Sequence, residues 1–264
     1  MKHRMLRLTA ALAAALATLL LAACVAPPTQ DLRTASDMTD VDRRARLRLE
    51  LASGYFSRGQ NAIALDEVKQ ALAARPNDPQ AHNLRGLIYA SLGEHTLAEE
   101  SFQRALQLAP GDADTRHNYG WFLCQLQRWD DASLQFQQAI AQPQYRDVPR
   151  TLLAQGLCEA RAGRLAEADR TLTRSYELDP GNPGTAFNLG EVLYRLGEFE
   201  RARFYLRRIN GEPATSNAQT LWLAARIENR LGNVAGARGF GNELRQRFPD
   251  SPEALLYDKG RFDG

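Results

Sequence analysis

Residues 79–112, PQAHNLRGLIYASLGEHTLAEESFQRALQLAPGD, hold the arrangement that decides the fold. Gly93 ends one helical stretch, Ala98 follows five residues later, and Pro110 comes twelve beyond that. Each residue type has a physical task. Glycine terminates a helix at little cost through its left-handed conformation, allowing a tight turn into an antiparallel partner. Alanine where the two helices cross lets their backbones approach. Proline stops the second helix, and an Asp or Asn beside it caps the next, as in Pro76-Asn77-Asp78-Pro79.

The same arrangement recurs from Ala45, Ala113, Pro149, Pro183 and Ala218, giving steps of 34, 34, 36, 34 and 35 residues across six copies. The turn glycines are Gly59, Gly93, Gly163, Gly197 and Gly232, with Gln127 standing in the third copy. Ala64, Ala98, Ala132, Ala168, Ala202 and Ala237 occupy the crossing position in every copy. Pro76, Pro110, Pro180 and Pro249 close four copies, while Pro143 and Pro213 fall one place early. Large residues such as Phe102, Phe136, Leu172 and Leu206 are expected to fill the space between helices. This spacing is that of the tetratricopeptide repeat. The expected fold is therefore all-α, with six repeats over 45–251 (45–78, 79–112, 113–148, 149–182, 183–217 and 218–251). One repeat cannot bury its own apolar face, so the six stack into a right-handed superhelix. Residues 252–264 are read as a C-terminal tail, and Gly236, Gly239 and Gly241 are expected to loosen the final helix.

The N-terminus carries an address. Lys2, Arg4 and Arg7 precede Leu8–Ala23, 16 residues of only Leu, Ala and Thr, and then Cys24. A membrane-spanning helix needs about 20 apolar residues, so this run reads as a signal peptide over 1–23 rather than a retained anchor. Leu21-Ala22-Ala23-Cys24 has the form of a bacterial lipoprotein cleavage site. Cys24 then carries diacylglycerol and an N-acyl chain, and this lipid is the only attached group expected. Val25 after the cysteine, rather than Asp, resembles the pattern sorted to the outer membrane, facing the periplasm. The polar stretch after it, with Pro27 and Pro28, reads as a flexible tether over 24–44.

Composition excludes several functions. The whole chain has 33 basic and 31 acidic residues. Without Lys2, Arg4 and Arg7 the balance becomes about −1, and there is no basic block of the kind that binds nucleic acid. No HExxH, P-loop, Gly-x-Ser-x-Gly or CxxC motif occurs, and none of the four histidines has a second ligand at helical spacing. Neither an enzyme, a metal site nor a small-molecule substrate is expected.

The first helix of each repeat lines the concave groove of such a superhelix, mainly at its second, fifth, ninth and twelfth positions. In the first three repeats these positions include Phe56, Asn83, Leu87, His117 and Trp121. In the last three they include Leu153, Leu157, Phe187, Tyr194 and Trp222. Aromatic residues at such sites suit protein binding; packing between repeats or beneath a terminal cap is the alternative. Leu49, Ser53, Asp114 and Asn118 stand where some superhelices clamp a partner's C-terminal carboxylate with Lys and Arg, so that type of adaptor is excluded. Cys124 and Cys158 fall at similar heights on neighbouring first helices, so a disulfide is expected, with two small buried thiols as the alternative.

Asn118-Tyr119-Gly120-Trp121-Phe122-Leu123-Cys124, Pro143-Gln144-Tyr145 and Gly156-Leu157-Cys158 resemble the third and fourth repeats of the PilW/PilF type IV pilus biogenesis lipoproteins. Leu221-Trp222-Leu223 and Phe248-Pro249-Asp250-Ser251-Pro252-Glu253 resemble their last repeat and terminus. The Pro-x-Tyr insertion accounts for the 36-residue step. The resemblance implies a pilotin, a lipid-anchored outer-membrane protein that binds the pilus secretin and promotes its localisation or oligomerisation. In some relatives the role is fibre stabilisation, and another pilus assembly protein is then the partner. A lipid-anchored adaptor for outer-membrane protein assembly or peptidoglycan enzymes is the alternative.

Overall fold

The computed structural model describes residues 39–262, which form thirteen α-helices. They pair as α1 (Asp40–Ser57) with α2 (Asn61–Ala74), α3 (Pro79–Ser91) with α4 (His95–Leu108), and α5 (Ala113–Gln125) with α6 (Trp129–Ile140). The series continues with α7 (Val148–Arg161) and α8 (Leu165–Leu178), α9 (Pro183–Leu196) and α10 (Phe199–Asn210), and α11 (Ala218–Arg230) and α12 (Val234–Arg247). A short α13 (Pro252–Asp258) packs on both α11 and α12. First helices of consecutive repeats touch, as α5 does α7, which generates the superhelix.

Local sequence accounts for the helix ends. Asp78 and Asn182 cap α3 and α9 through side-chain oxygens that accept backbone N–H groups, each followed by Pro at the first helical position. The turn glycines adopt φ between 72° and 83°, and Gln127 follows them into the left-handed region at φ 59°. The turn geometry is thus kept where the residue type is not, at a cost of about 1 kcal/mol.

Two boundaries differ from expectation. The tether expected to reach residue 44 ends earlier, because α1 begins at Asp40. A capping box is the cause: the Thr39 hydroxyl accepts the Asp42 N–H at 3.1 Å, and the Asp42 carboxylate accepts the Thr39 N–H at 3.2 Å. The expected tail likewise contains α13, started by a Ser251 cap and Pro252.

Packing between the helices of a repeat follows a small-against-large rule. A Cβ at Gly86 would lie 2.8 Å from the Phe102 ring, one at Gly120 2.9 Å from Phe136, and one at Gly156 2.6 Å from Leu172. Gly190 and Leu206 repeat the relation. The large residue lies sixteen positions after the glycine each time and is almost wholly buried. The sixth repeat inverts it. Ala225 takes the glycine's place and Gly241 the large residue's, and the Tyr257 ring of α13 lies where a Gly241 side chain would stand. Gly241 thus seats a ring from outside the repeat.

Ion pairs bind neighbouring repeats. Nη1 and Nη2 of Arg201 each donate to Asp169 at 2.9 Å, rather than to the nearby Glu198. Glu228 on α11 is buried and accepts from Arg203 at 2.7 Å, Arg207 at 3.2 Å and Asn233 at 2.7 Å. Burial alone opposes its ionisation, but these hydrogen bonds and the two arginine charges outweigh it and hold its carboxyl below the usual range.

Candidate partner-binding groove

The first-helix wall is open between repeats three and four. His117, Trp121, Arg150, Leu153, Ala154 and Leu157, all from α5 and α7, line a cavity of about 240 Å³. Trp121 is half-buried, and the Arg161 guanidinium lies 4.8 Å from its ring centroid. That stacking holds the indole upright at little entropic cost.

A polar cluster supports this wall. His117 Nδ1 is hydrogen-bonded to the Thr151 hydroxyl at 2.8 Å, and Thr151 to the Tyr145 hydroxyl at 2.7 Å. Tyr145 comes from the two-residue insertion, so the longer third step places a phenol against the start of α7. Burial, helped by the Arg150 charge, lowers the His117 pKa to about 4. The ring is therefore neutral across the physiological range.

Behind the wall, the Cys124 and Cys158 sulfurs are bonded, with Cα atoms 5.8 Å apart. Both residues are buried in a cluster with Phe102, Tyr119, Phe122 and Phe136. The bond joins α5 to α7 and holds the two helices that present Trp121, Leu153 and Leu157.

The C-terminal part of the wall differs from expectation at one aromatic residue. Phe187 and Tyr194 are half-buried, and Phe187 joins Glu191, Gln219, Leu223 and Arg226 around a cavity of about 220 Å³. Trp222, expected as an exposed anchor, is only 6% exposed. Its ring packs 5.4 Å from Phe262 and 6.4 Å from Tyr257, although Trp222 still contributes to the cavity lining. Arg226 stacks 4.5 Å over Tyr194 and donates from Nε to the Phe262 carbonyl at 3.0 Å. The C-terminal segment is the cap that covers Trp222.

The N-terminal candidates are engaged in packing. Phe56 and Leu87 lie half-buried against the first and second apolar clusters, and Asn83 accepts a hydrogen bond from Asn118 at 3.2 Å. Cys24 lies outside the described residues. Arg161 was not among the candidates; its signal is its place at the end of a first helix, beside an aromatic residue of the preceding repeat. Among the described residues there is no group of three or more His, Cys, Asp or Glu able to hold a metal ion. Nor is any described helix long and apolar enough to cross a membrane.

A superhelix of paired helices whose inner wall mixes aromatic, aliphatic and charged residues is a helical-repeat scaffold for protein binding. Profiles described as tetratricopeptide repeat match residues 49–113, 89–156 and 159–227, and the chain belongs to that family. It is homologous to the type IV pilus assembly protein PilF of Pseudomonas aeruginosa, with 27% identity over 205 residues, 78% of this chain and 81% of PilF. The crystal structure of PilW, described as a widely conserved type IV pilus biogenesis factor, superposes with a TM-score of 0.74 at 28% identity. The match covers 83% of this chain and 99% of the solved one. A structure of Pseudomonas aeruginosa PilF matches with a TM-score of 0.71 at 25% identity, over 84% of this chain and all of that one.

Proposed function

We propose that this protein is a lipid-anchored scaffold for type IV pilus assembly whose groove holds a segment of the pilus secretin. The likeness to PilF and PilW carries this reading, because it covers about four fifths of this chain, 81% of PilF and nearly all of both solved chains. The open wall around Trp121 supplies the binding surface. Acyl chains on Cys24 anchor the scaffold in the inner leaflet of the outer membrane; three chains together hold where one is marginal. Tethering raises the local concentration of the captured segment at the membrane where the secretin assembles. The periplasm keeps the Cys124–Cys158 bond oxidised.

Deletion of the gene tests the reading through twitching motility, surface pili and secretin multimers in outer-membrane fractions. Multimers should fall and motility should be lost. Normal multimers with unstable fibres would move the role to fibre stabilisation, and normal multimers with normal pili would overturn the reading. Replacing Cys24 with serine should leave a folded protein that no longer restores multimers.

A further inference from the structure

The two halves of the superhelix differ at one register. The thirteenth residue of each repeat, at the end of its first helix, is Ser57, Ser91 and Gln125 in repeats one to three. In repeats four to six it is Arg161, Arg195 and Arg230. A helix C-terminus favours a cation, but the first three repeats offer the same helix end and leave it uncharged.

All three arginines reach back to the preceding repeat. Arg161 stacks on Trp121 at 4.8 Å and Arg230 on Phe199 at 4.9 Å, while Arg195 donates to the Ala160 carbonyl at 3.3 Å. All three are exposed, and none forms an ion pair among the described residues. A guanidinium that stacks through its face keeps N–H edges free for a carboxylate. Packed helices lie about 10 Å apart, so Arg161 to Arg230 spans about 20 Å, the length of roughly six extended residues. Trp121, on which Arg161 stacks, belongs to the apolar wall, and Leu157 lies one helical turn before Arg161 on α7. Arg226 shows how such a wall holds a chain, since it grips the Phe262 carbonyl while the Phe262 ring lies on Trp222.

We infer that repeats four to six form an arginine ladder that takes an acidic, apolar segment of a protein partner, with carboxylates on the ladder and aromatic or aliphatic side chains in the groove. The inference rests on the groove being the partner site and specifies the chemistry of what enters it.

The test uses the full-length protein in non-ionic detergent and two fluorescein-labelled pools of 12-residue peptides. One pool alternates Asp or Glu with Leu, Phe, Tyr or Trp; the other replaces the acids with Lys or Arg. Fluorescence anisotropy should show binding of the acidic pool and not of the basic one. The near-neutral mature chain offers no general attraction that would mimic this result. The triple variant Arg161→Gln, Arg195→Gln, Arg230→Gln should weaken binding about tenfold with its thermal melt unchanged. Arg208→Gln, at an exposed site on α10, should bind as wild type. Equal binding of both pools, or an unaffected triple variant with a native melt, would overturn the ladder. Binding to phosphatidylglycerol vesicles in place of the acidic pool would overturn it too and assign the row to lipid. This assay is independent of pilus genes: a failed ladder leaves the deletion phenotype intact, and a deletion without phenotype leaves peptide binding intact.

Discussion

The junction of repeats three and four and the sixth repeat secure their first helices by different means. At the junction, Cys124 and Cys158 join α5 to α7 covalently, with Gly120 and Gly156 each seating a large residue of its own repeat. In the sixth repeat the large residue is absent, and Gly241 accepts Tyr257 from α13 instead. One site is braced within the stack; the other depends on a short helix that follows it. The groove is correspondingly open at the junction and capped over Trp222 at the end. A repeat array whose units differ in this way should not lose its structure uniformly.

The contrast is open to experiment, beginning with the largest effect. Replacing Cys124 and Cys158 with alanine should lower stability by about 3–4 kcal/mol in the loop-entropy account of a loop of this length. Urea unfolding of the oxidised wild type and the double variant would measure it. A difference near zero would mean that the junction holds by packing alone.

Tyr257→Ala comes next, at about 2–3 kcal/mol for an aromatic ring lost from a seat that cannot collapse. Hydrogen exchange should show the loss confined to α11 and α12, with α5 and α7 still protected. Uniform loss of protection would break the comparison, because the sixth repeat would then be coupled to the whole stack.

Glu228→Gln should cost about 1–2 kcal/mol near neutral pH, through loss of charged hydrogen bonds from Arg203 and Arg207. The sign with pH follows from the lowered folded pKa. Wild type gains this stability above the unfolded carboxyl value of about 4.3, and loses it as pH falls through the lower folded value. The two proteins should therefore converge in acid. A gap that persists at pH 2 would place the effect in packing rather than charge.

The smallest expected change is a gain. Gln127→Gly should stabilise by about 1 kcal/mol, since glycine adopts φ 59° without strain. A thermal melt that fell instead would give the Gln127 side chain a role of its own in the turn.

How much was legible can be judged at particular residues. Turn glycines, crossing alanines and closing prolines act through local backbone conformation, so their spacing is visible along the chain. Cys124 and Cys158 were also readable, because the repeat period converts 34 residues of separation into neighbouring positions on adjacent helices. The early start of α1 had a signature too, in Thr39 followed three residues later by Asp42, weaker than the repeat that overshadowed it.

Trp222 marks the limit. Its register assigns it to the inner wall, and it does lie there, yet Tyr257 and Phe262 cover it. Nothing periodic announces that cover, since α13 is too short to display a pattern of its own. Phe56 and Leu87 illustrate the same point: a first-helix position names a face of the helix, while burial depends on how far neighbouring repeats rotate around it.

The sequence by itself determined the all-helical repeat, its six phases, the turn positions and the placing of the two cysteines on neighbouring first helices, because each follows from short-range geometry repeated at a nearly constant period. Only the tertiary structure decided which wall residues stay open, that Gly241 is a seat for Tyr257, and that the three arginines each reach back to the repeat before. Those outcomes depend on contacts between residues whose separation follows no single period. They are settled by volume and charge once the helices are already in place.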